Sequence, residues 1–147
     1  MPDKIILLVE DNVSDIELTQ RAFEKGRITS KVVIARDGQE ALDYLFGDGS
    51  QDIDDLPPLP TVILLDLKLP KISGLDILRR IREHERTRRL PVVILTSSNE
   101  EQDILECYDR KANSYIRKPV DFNQFAEAIR QLGLYWLVLN EPPPARW

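Results

Sequence analysis

The sequence has little sulfur and almost no imidazole: one cysteine, Cys107, and one histidine, His84, in 147 residues. A lone cysteine excludes an internal disulfide and fits a reducing, cytoplasmic setting. Cys107 itself reads as a small helix residue. His84 sits between Glu83 and Glu85 and reads as a surface residue near a helix end. Long apolar runs are missing too, since none reaches the ~18 residues of a membrane span. The opening Met1-Pro2-Asp3-Lys4 leads straight into a strand-like run, unlike a secretory signal. Positive charge is also lacking. Twenty Lys and Arg stand against twenty-five Asp and Glu, a formal net charge of −5. That excludes a general attraction to nucleic acid or anionic membrane. One local exception holds six arginines between Arg79 and Arg89. It reads as a solvated helix end and loop; an acidic partner's docking patch is the sharper alternative.

What is present is a regular alternation. Strand-like runs are Ile5–Val9, Val32–Ala35, Val62–Leu65, Val92–Leu95 and the short Ser114–Ile116. The continuously apolar ones, rich in branched side chains, suit strands buried on both faces of a parallel sheet. Five helices lie between and after them. The pairs Ser14 with Glu17, Asp37 with Glu40, Ser73 with Asp76, Ser98 with Glu101 and Asp121 with Gln124 each resemble a capping box. Strand and helix in strict alternation predict a doubly wound α/β fold. One domain is expected over residues 1–140, with a disordered tail over 141–147. Gly47–Pro60, with three prolines and four aspartates, reads as a solvated loop. Its Asp48, Ser50, Asp52 spacing lacks the glycine a calcium loop needs, because Ile53 stands there.

In open α/β sheets, ligands bind beyond the carboxyl ends of the strands. Polar residues follow four of these strands at that end. Glu10 and Asp11 follow the first, Asp66 the third, Thr96 the fourth and Lys118 the fifth. Asp66 interrupts the core-like run Val62-Ile63-Leu64-Leu65-Asp66-Leu67, where a carboxylate needs a cation or several donors nearby. Three clustered carboxylates resist ionising together, and a divalent cation relieves that; hard oxygen ligands favour Mg2+. Asp66 then serves as a carboxylate nucleophile toward phosphorus, with charge neutralised by the cation and by Lys118.

Four pieces, in this order, resemble the receiver domains of two-component response regulators: Val9-Glu10-Asp11-Asn12; Leu65-Asp66-Leu67-Lys68-Leu69-Pro70 with Gly74; Leu95-Thr96-Ser97; and Tyr115-Ile116-Arg117-Lys118-Pro119. The resemblance implies a five-stranded parallel sheet in the order 2-1-3-4-5 with five helices. It makes Asp66 the phosphoacceptor, charged by a histidine kinase on another protein. Glu10, Asp11, Asp66 and the Lys68 backbone carbonyl become the Mg2+ ligands. Lys118 pairs with the phosphate and is followed by a cis bond to Pro119. Thr96 and Tyr115 become the switch pair. The protein is then a signalling phosphoacceptor that assists its own phosphorylation and dephosphorylation, not a turnover enzyme.

Tyr44-Leu45-Phe46-Gly47-Asp48-Gly49 with the following proline loop resembles, more narrowly, the stand-alone regulators paired with phytochrome-type histidine kinases. From Phe122 the helix stripe runs Phe125, Ile129, Leu132, Trp136, an ordinary core spacing. Leu134, Tyr135, Leu137, Val138 and Leu139 then make the end apolar on nearly every side, which predicts a homodimer or partner surface. Alternatives remain. A phosphatase using an aspartate nucleophile would want an acid where Lys68 stands. A flavodoxin-like binder would not place Glu10-Asp11 in its phosphate loop. A phosphorylation-independent pseudo-receiver acting as a dimeric scaffold has no need of Asp66, Thr96 and Lys118 together.

Overall fold

A computed structural model describes residues 4–50, 52–119 and 121–144. The three final residues of the expected tail, 145–147, lie outside the described ones. In chain order the elements are β1 (Ile5–Val9), α1 (Val13–Lys25), β2 (Lys31–Ala35), α2 (Gly38–Phe46), β3 (Val62–Leu65), α3 (Gly74–Glu83), β4 (Val92–Thr96), α4 (Glu101–Asp109), β5 (Ser114–Arg117) and α5 (Phe122–Gly133). A short 3-10 turn at Ile53–Asp55 interrupts the long loop, and a π-helical segment, Leu134–Leu139, follows α5.

All strand pairings are parallel, in the order β2-β1-β3-β4-β5. The central strands β1, β3 and β4 are buried at every residue, while the edge strands β2 and β5 are only partly covered. Period-two alternation splits the core. Leu7, Val9, Ile63, Leu65, Val92 and Ile94 pack with Leu42, Leu45, Ile77, Leu78, Ile81 and Cys107 of α2, α3 and α4. Ile6, Leu8, Val62, Leu64, Val93 and Leu95 pack with Ala22, Phe23, Phe125, Ala126 and Ile129 of α1 and α5. Each Val, Leu, Ile or Phe among them is worth about 1.5–3 kcal/mol when withdrawn from water.

Three helix starts follow the sequence reading: Asp37, Ser73 and Asp121 accept from the amides of Glu40, Asp76 and Gln124. Two do not. Helix α1 is capped by Asn12, two residues ahead of Ser14, whose place it takes: its Oδ1 accepts from the Asp15 amide at 3.0 Å. Helix α4 starts after Glu100 with no side-chain cap; Ser98 Oγ instead donates to Asp103 Oδ2 at 2.6 Å.

Two arginines of the Arg79–Arg89 cluster point inward, contrary to the solvated reading. Arg82 donates to the carbonyls of Arg88, Leu90 and Lys111 and to Asn113 Oδ1, at 2.8–3.1 Å. Asn113 Oδ1 also accepts from the Val92 amide at 2.8 Å. Arg82 thus clamps α3 to the loops before β4 and β5, and burial depresses its pKa. Arg86 donates to the carbonyls of Leu45 and Pro57, tying the long loop to the end of α2.

The C-terminal stripe departs from α periodicity. The inward position steps from Leu132 to Leu137, five residues, as π winding requires, and Asn140 N closes onto Tyr135 O. Leu137 is therefore core, 5% exposed, and not part of an outer surface; Trp136 is only partly buried. Leu134, Tyr135, Val138 and Leu139 remain outside at 44–68% exposure.

Cys107 is fully buried, and burial pushes its thiol up to about 11. At pH 8 the thiolate, the reactive form, is then scarce. Native protein is expected to resist a thiol reagent at pH 8 and to react at the rate of a free thiol once unfolded; rapid native labelling would contradict the packing.

Candidate functional site

Parallel pairing brings all strand carboxyl ends to one edge, and the register levels them. Val9 stands opposite both Ala35 and Leu65. The next amides continue the ladders: Glu10 N donates to Ala35 O at 3.0 Å, and Asp66 N to Val9 O at 3.1 Å. Glu10 and Asp66 therefore leave the sheet side by side. Thr96 stands opposite Arg117, and Lys118 N donates to Thr96 O at 2.7 Å, so Lys118 leaves from the same edge.

The side chains then converge. One carboxylate oxygen from each of Glu10, Asp11 and Asp66 lies within 4.8 Å of the others. Glu10 and Asp66 are buried, at 3% and 7% exposure, and Asp11 is open to solvent. Lys118 Nζ reaches Asp66 Oδ2 at 3.2 Å, Asp15 Oδ2 at 2.9 Å, and Glu10 Oε1. Burial pushes the Glu10 carboxyl up to about 7; the Lys118 ammonium opposes that rise and the Asp66 charge adds to it. For Lys118, burial works against the ammonium, but the bonds to Glu10 and Asp15 and the Asp66 charge outweigh it and hold its pKa above the ordinary lysine value. An oxygen-only cluster with one exposed member fits a hard divalent cation such as Mg2+.

Asp15 was not among the residues read from the sequence. It lies in the first turn of α1, three residues after the Asn12 cap, where an acid reads as an ordinary helix-start residue, so the sequence offered no signal for its pairing with Lys118. Among the expected residues, Thr96 is fully buried and its Oγ1 accepts from Ser98 N at 3.4 Å. Tyr115, half-buried, donates its hydroxyl to Ser98 O at 2.9 Å. Lys68 is exposed, and its amide donates to Asp66 Oδ1 at 3.3 Å. The expected cis bond between Lys118 and Pro119 is absent: no peptide among the described residues is cis. The trans form is the cheaper one for an X–Pro bond, by about 0.5–1 kcal/mol, and with it Lys118 already reaches its three carboxylates.

Gly74 sets the turn below Asp66. Its amide donates to Leu67 O at 3.0 Å. A Cβ there would lie 2.3 Å from Asp66 O and 2.7 Å from Leu67 Cα.

A fold of this order with this cluster at its carboxyl edge defines a receiver. Residues 6–130 match the model of the response regulator receiver domain, and the chain belongs to that family. It is 41% identical over 142 residues to the probable methanogenesis regulatory protein FilR2 of Methanothrix harundinacea, covering 95% of this chain and 87% of that protein. Response regulator Rcp1 of Synechocystis is 35% identical over 144 residues, covering 98% and 96%. A crystal structure of the Mn(2+)-bound form of Rcp1 superposes with a TM-score of 0.85 at 33% identity, covering 96% of this chain and 99% of that one. The phosphorylated cyanobacterial phytochrome response regulator RcpA gives 0.88 at 37%, covering 97% and 100%. No helix among the described residues is long and apolar enough to cross a membrane.

Gly74→Ala is expected to force the Asp66–Leu67 backbone to move and to cost about 1–3 kcal/mol. Thermal unfolding measures the loss; an unchanged midpoint would mean the turn has room.

Proposed function

We propose that Asp66 accepts a phosphoryl group from a phosphohistidine of a histidine kinase, and that the chain signals by the resulting change of shape. The observation that carries this reading is the approach of Glu10, Asp11 and Lys118 to Asp66 at one solvent-reachable edge. An Asp66 Oδ attacks phosphorus as the P–N bond to the donor imidazole breaks; the imidazole leaves with the electron pair and takes up a proton. Glu10, Asp11, Asp66 and the Lys68 carbonyl would hold Mg2+, which when bound neutralises charge on the transferring group. Lys118 supplies a second positive charge, aimed at the phosphoryl oxygens. The likeness to RcpA, a phytochrome response regulator, supports a phytochrome-type kinase as the donor; the lone cysteine supports a cytoplasmic setting; and the net charge of −5 supports a target other than nucleic acid or membrane.

Thr96 and Tyr115 would form the switch. Both are tied to Ser98, Thr96 to its amide and Tyr115 to its carbonyl. A Thr96 hydroxyl turning toward an Asp66 phosphate gives up the amide, loosens the Ser98 loop and releases Tyr115. Phosphate then favours one of two arrangements of α4 and β5.

The occupant of the exposed C-terminal patch is a second copy of the chain. Leu134, Tyr135, Val138 and Leu139 give four large apolar side chains on one short segment, a surface that a two-fold axis buries on both subunits at once.

With Mg2+ and acetyl phosphate, the intact mass of the wild type is expected to rise by one phosphoryl group, and that of Asp66→Ala to stay unchanged. No gain with any donor, histidine kinases included, would end the reading. In sedimentation, the wild type is expected as a dimer and Val138→Glu/Leu139→Glu as a monomer. A wild type that stays monomeric with and without phosphate would remove the second copy.

A further inference from the structure

Asp15 lies outside the carboxylate cluster that suits a cation, yet it holds the same ammonium. Lys118 has three N–H donors, and they meet three carboxylates: Glu10, Asp15 and Asp66. Two of these acceptors, Glu10 and Asp66, belong also to the triad whose oxygens lie within 4.8 Å of one another. A cation bound by that triad shares Glu10 and Asp66 with Lys118 and draws their charge away from the ammonium. Asp15 is not shared, because it is not among those three acids.

We propose that Asp15 is a positioning residue, the anchor that keeps Lys118 beside Asp66 when a divalent cation takes over Glu10 and Asp66. This rests on the phosphoacceptor reading above and deepens it. With a cation present, one ammonium N–H stays on Asp15 and two are freed toward an incoming phosphoryl group. The anchor is itself well fixed. The Asp15 amide is held by Asn12 Oδ1 at 3.0 Å, and its carbonyl accepts from Thr19 Oγ1 at 2.7 Å. The Asp15 side chain is one-third exposed, while that of Lys118 is 9% exposed. The ammonium therefore depends on the acids around it more than on water. Without Asp15, cation binding would strand a buried ammonium that had just lost its other partners.

Two consequences follow, and the first needs no phosphate. Removing the anchor makes displacement of Lys118 more costly, so Mg2+ binding weakens. Asp15→Asn is expected to bind Mg2+ about 3- to 10-fold more weakly by calorimetry, the reach of a charge-assisted hydrogen bond discounted for partial exposure. The loss should persist in 0.5 M salt, where a mere through-space effect of one exposed charge is screened. In a Lys118→Met background the same Asp15→Asn change should alter affinity less than 2-fold, because the ammonium it serves is gone; the double-mutant cycle reads that coupling. Asp15→Glu should recover part of the loss.

The second consequence concerns the reaction. At saturating Mg2+, Asp15→Asn is expected to gain one phosphoryl group from acetyl phosphate at the same final stoichiometry but several-fold more slowly. Equal Mg2+ affinities for wild type and Asp15→Asn, or an equal loss with and without Lys118, would overturn the anchor and leave the phosphoacceptor reading standing. A wild type that binds Mg2+ with the expected coupling but never gains phosphate would overturn that reading and leave the anchor.

Discussion

One ammonium among buried carboxylates governs the molecule's working end. Lys118 and Glu10 are both withdrawn from water, at 9% and 3% side-chain exposure, and Asp66 at 9%. Charges so placed are costly unless paired, and removing one partner of a buried pair typically costs about 3–5 kcal/mol. The pairing in turn demands that the ends of β1, β3 and β5 be level. Because β1, β3 and β5 run the same way, their three carboxyl ends share one edge, and the observed register sets Glu10 and Asp66 side by side. The apolar layers on both faces of β1, β3 and β4 thus serve an electrostatic arrangement several ångströms beyond them.

Rigidity and looseness are divided along the same line. The interiors of the central strands are sealed, and Arg82 bolts α3 to the segments before β4 and β5. The stretch beyond β4 is held differently. Ser98 meets Thr96 through a long 3.4 Å bond and Tyr115 through one hydroxyl, and α4 begins without a side-chain cap. Elements that shift on a signal are drawn from the weakly held end of a fold. Here the Ser98 segment adjoins the fully buried Thr96 and is held through the side chains of Thr96, Tyr115 and Asp103, so its position depends on where those side chains point.

The sheet was legible because its strands are apolar without interruption, a pattern only burial on two faces explains. Asp66 was legible for the converse reason, as a charge inside such a run. Receiver motifs carried the rest of the triad and Lys118. What escaped the sequence was tertiary. Asp15 looks like any helix-surface acid, and only the path of Lys118 across the edge gives it a partner. Arg82 and Arg86 stand in a charge-rich stretch that reads as solvated, yet backbone carbonyls of three loops need donors there. Ser14 and Ser98 resemble caps, but Asn12 reaches the open amide first and Asp103 takes the serine hydroxyl. Leu137 was assigned outward because α periodicity was extended through a segment that winds as π. Gly133, where the winding changes, packs directly on the α1–β2 connection: a Cβ there would lie 2.2 Å from Ile28 Cδ1.

The charge balance of the edge also bears on the proposed phosphoryl transfer. Glu10, Asp11, Asp15 and Asp66 are four acids against one ammonium, so the pocket is short of positive charge before anything binds. A dianionic phosphoryl group approaching that surface meets repulsion that Lys118 alone cannot offset, since its donors are already engaged. In the proposed transfer, a cation on the triad would lower that repulsion and loosen Lys118 from Glu10 and Asp66. Burial lifts the Glu10 carboxyl to about 7, and the Lys118 ammonium opposes that rise, so its charge depends on the cation beside it. The acids that repel a phosphoryl group from this edge are the same ones that, on the proposed reading, would hold the cation that admits it.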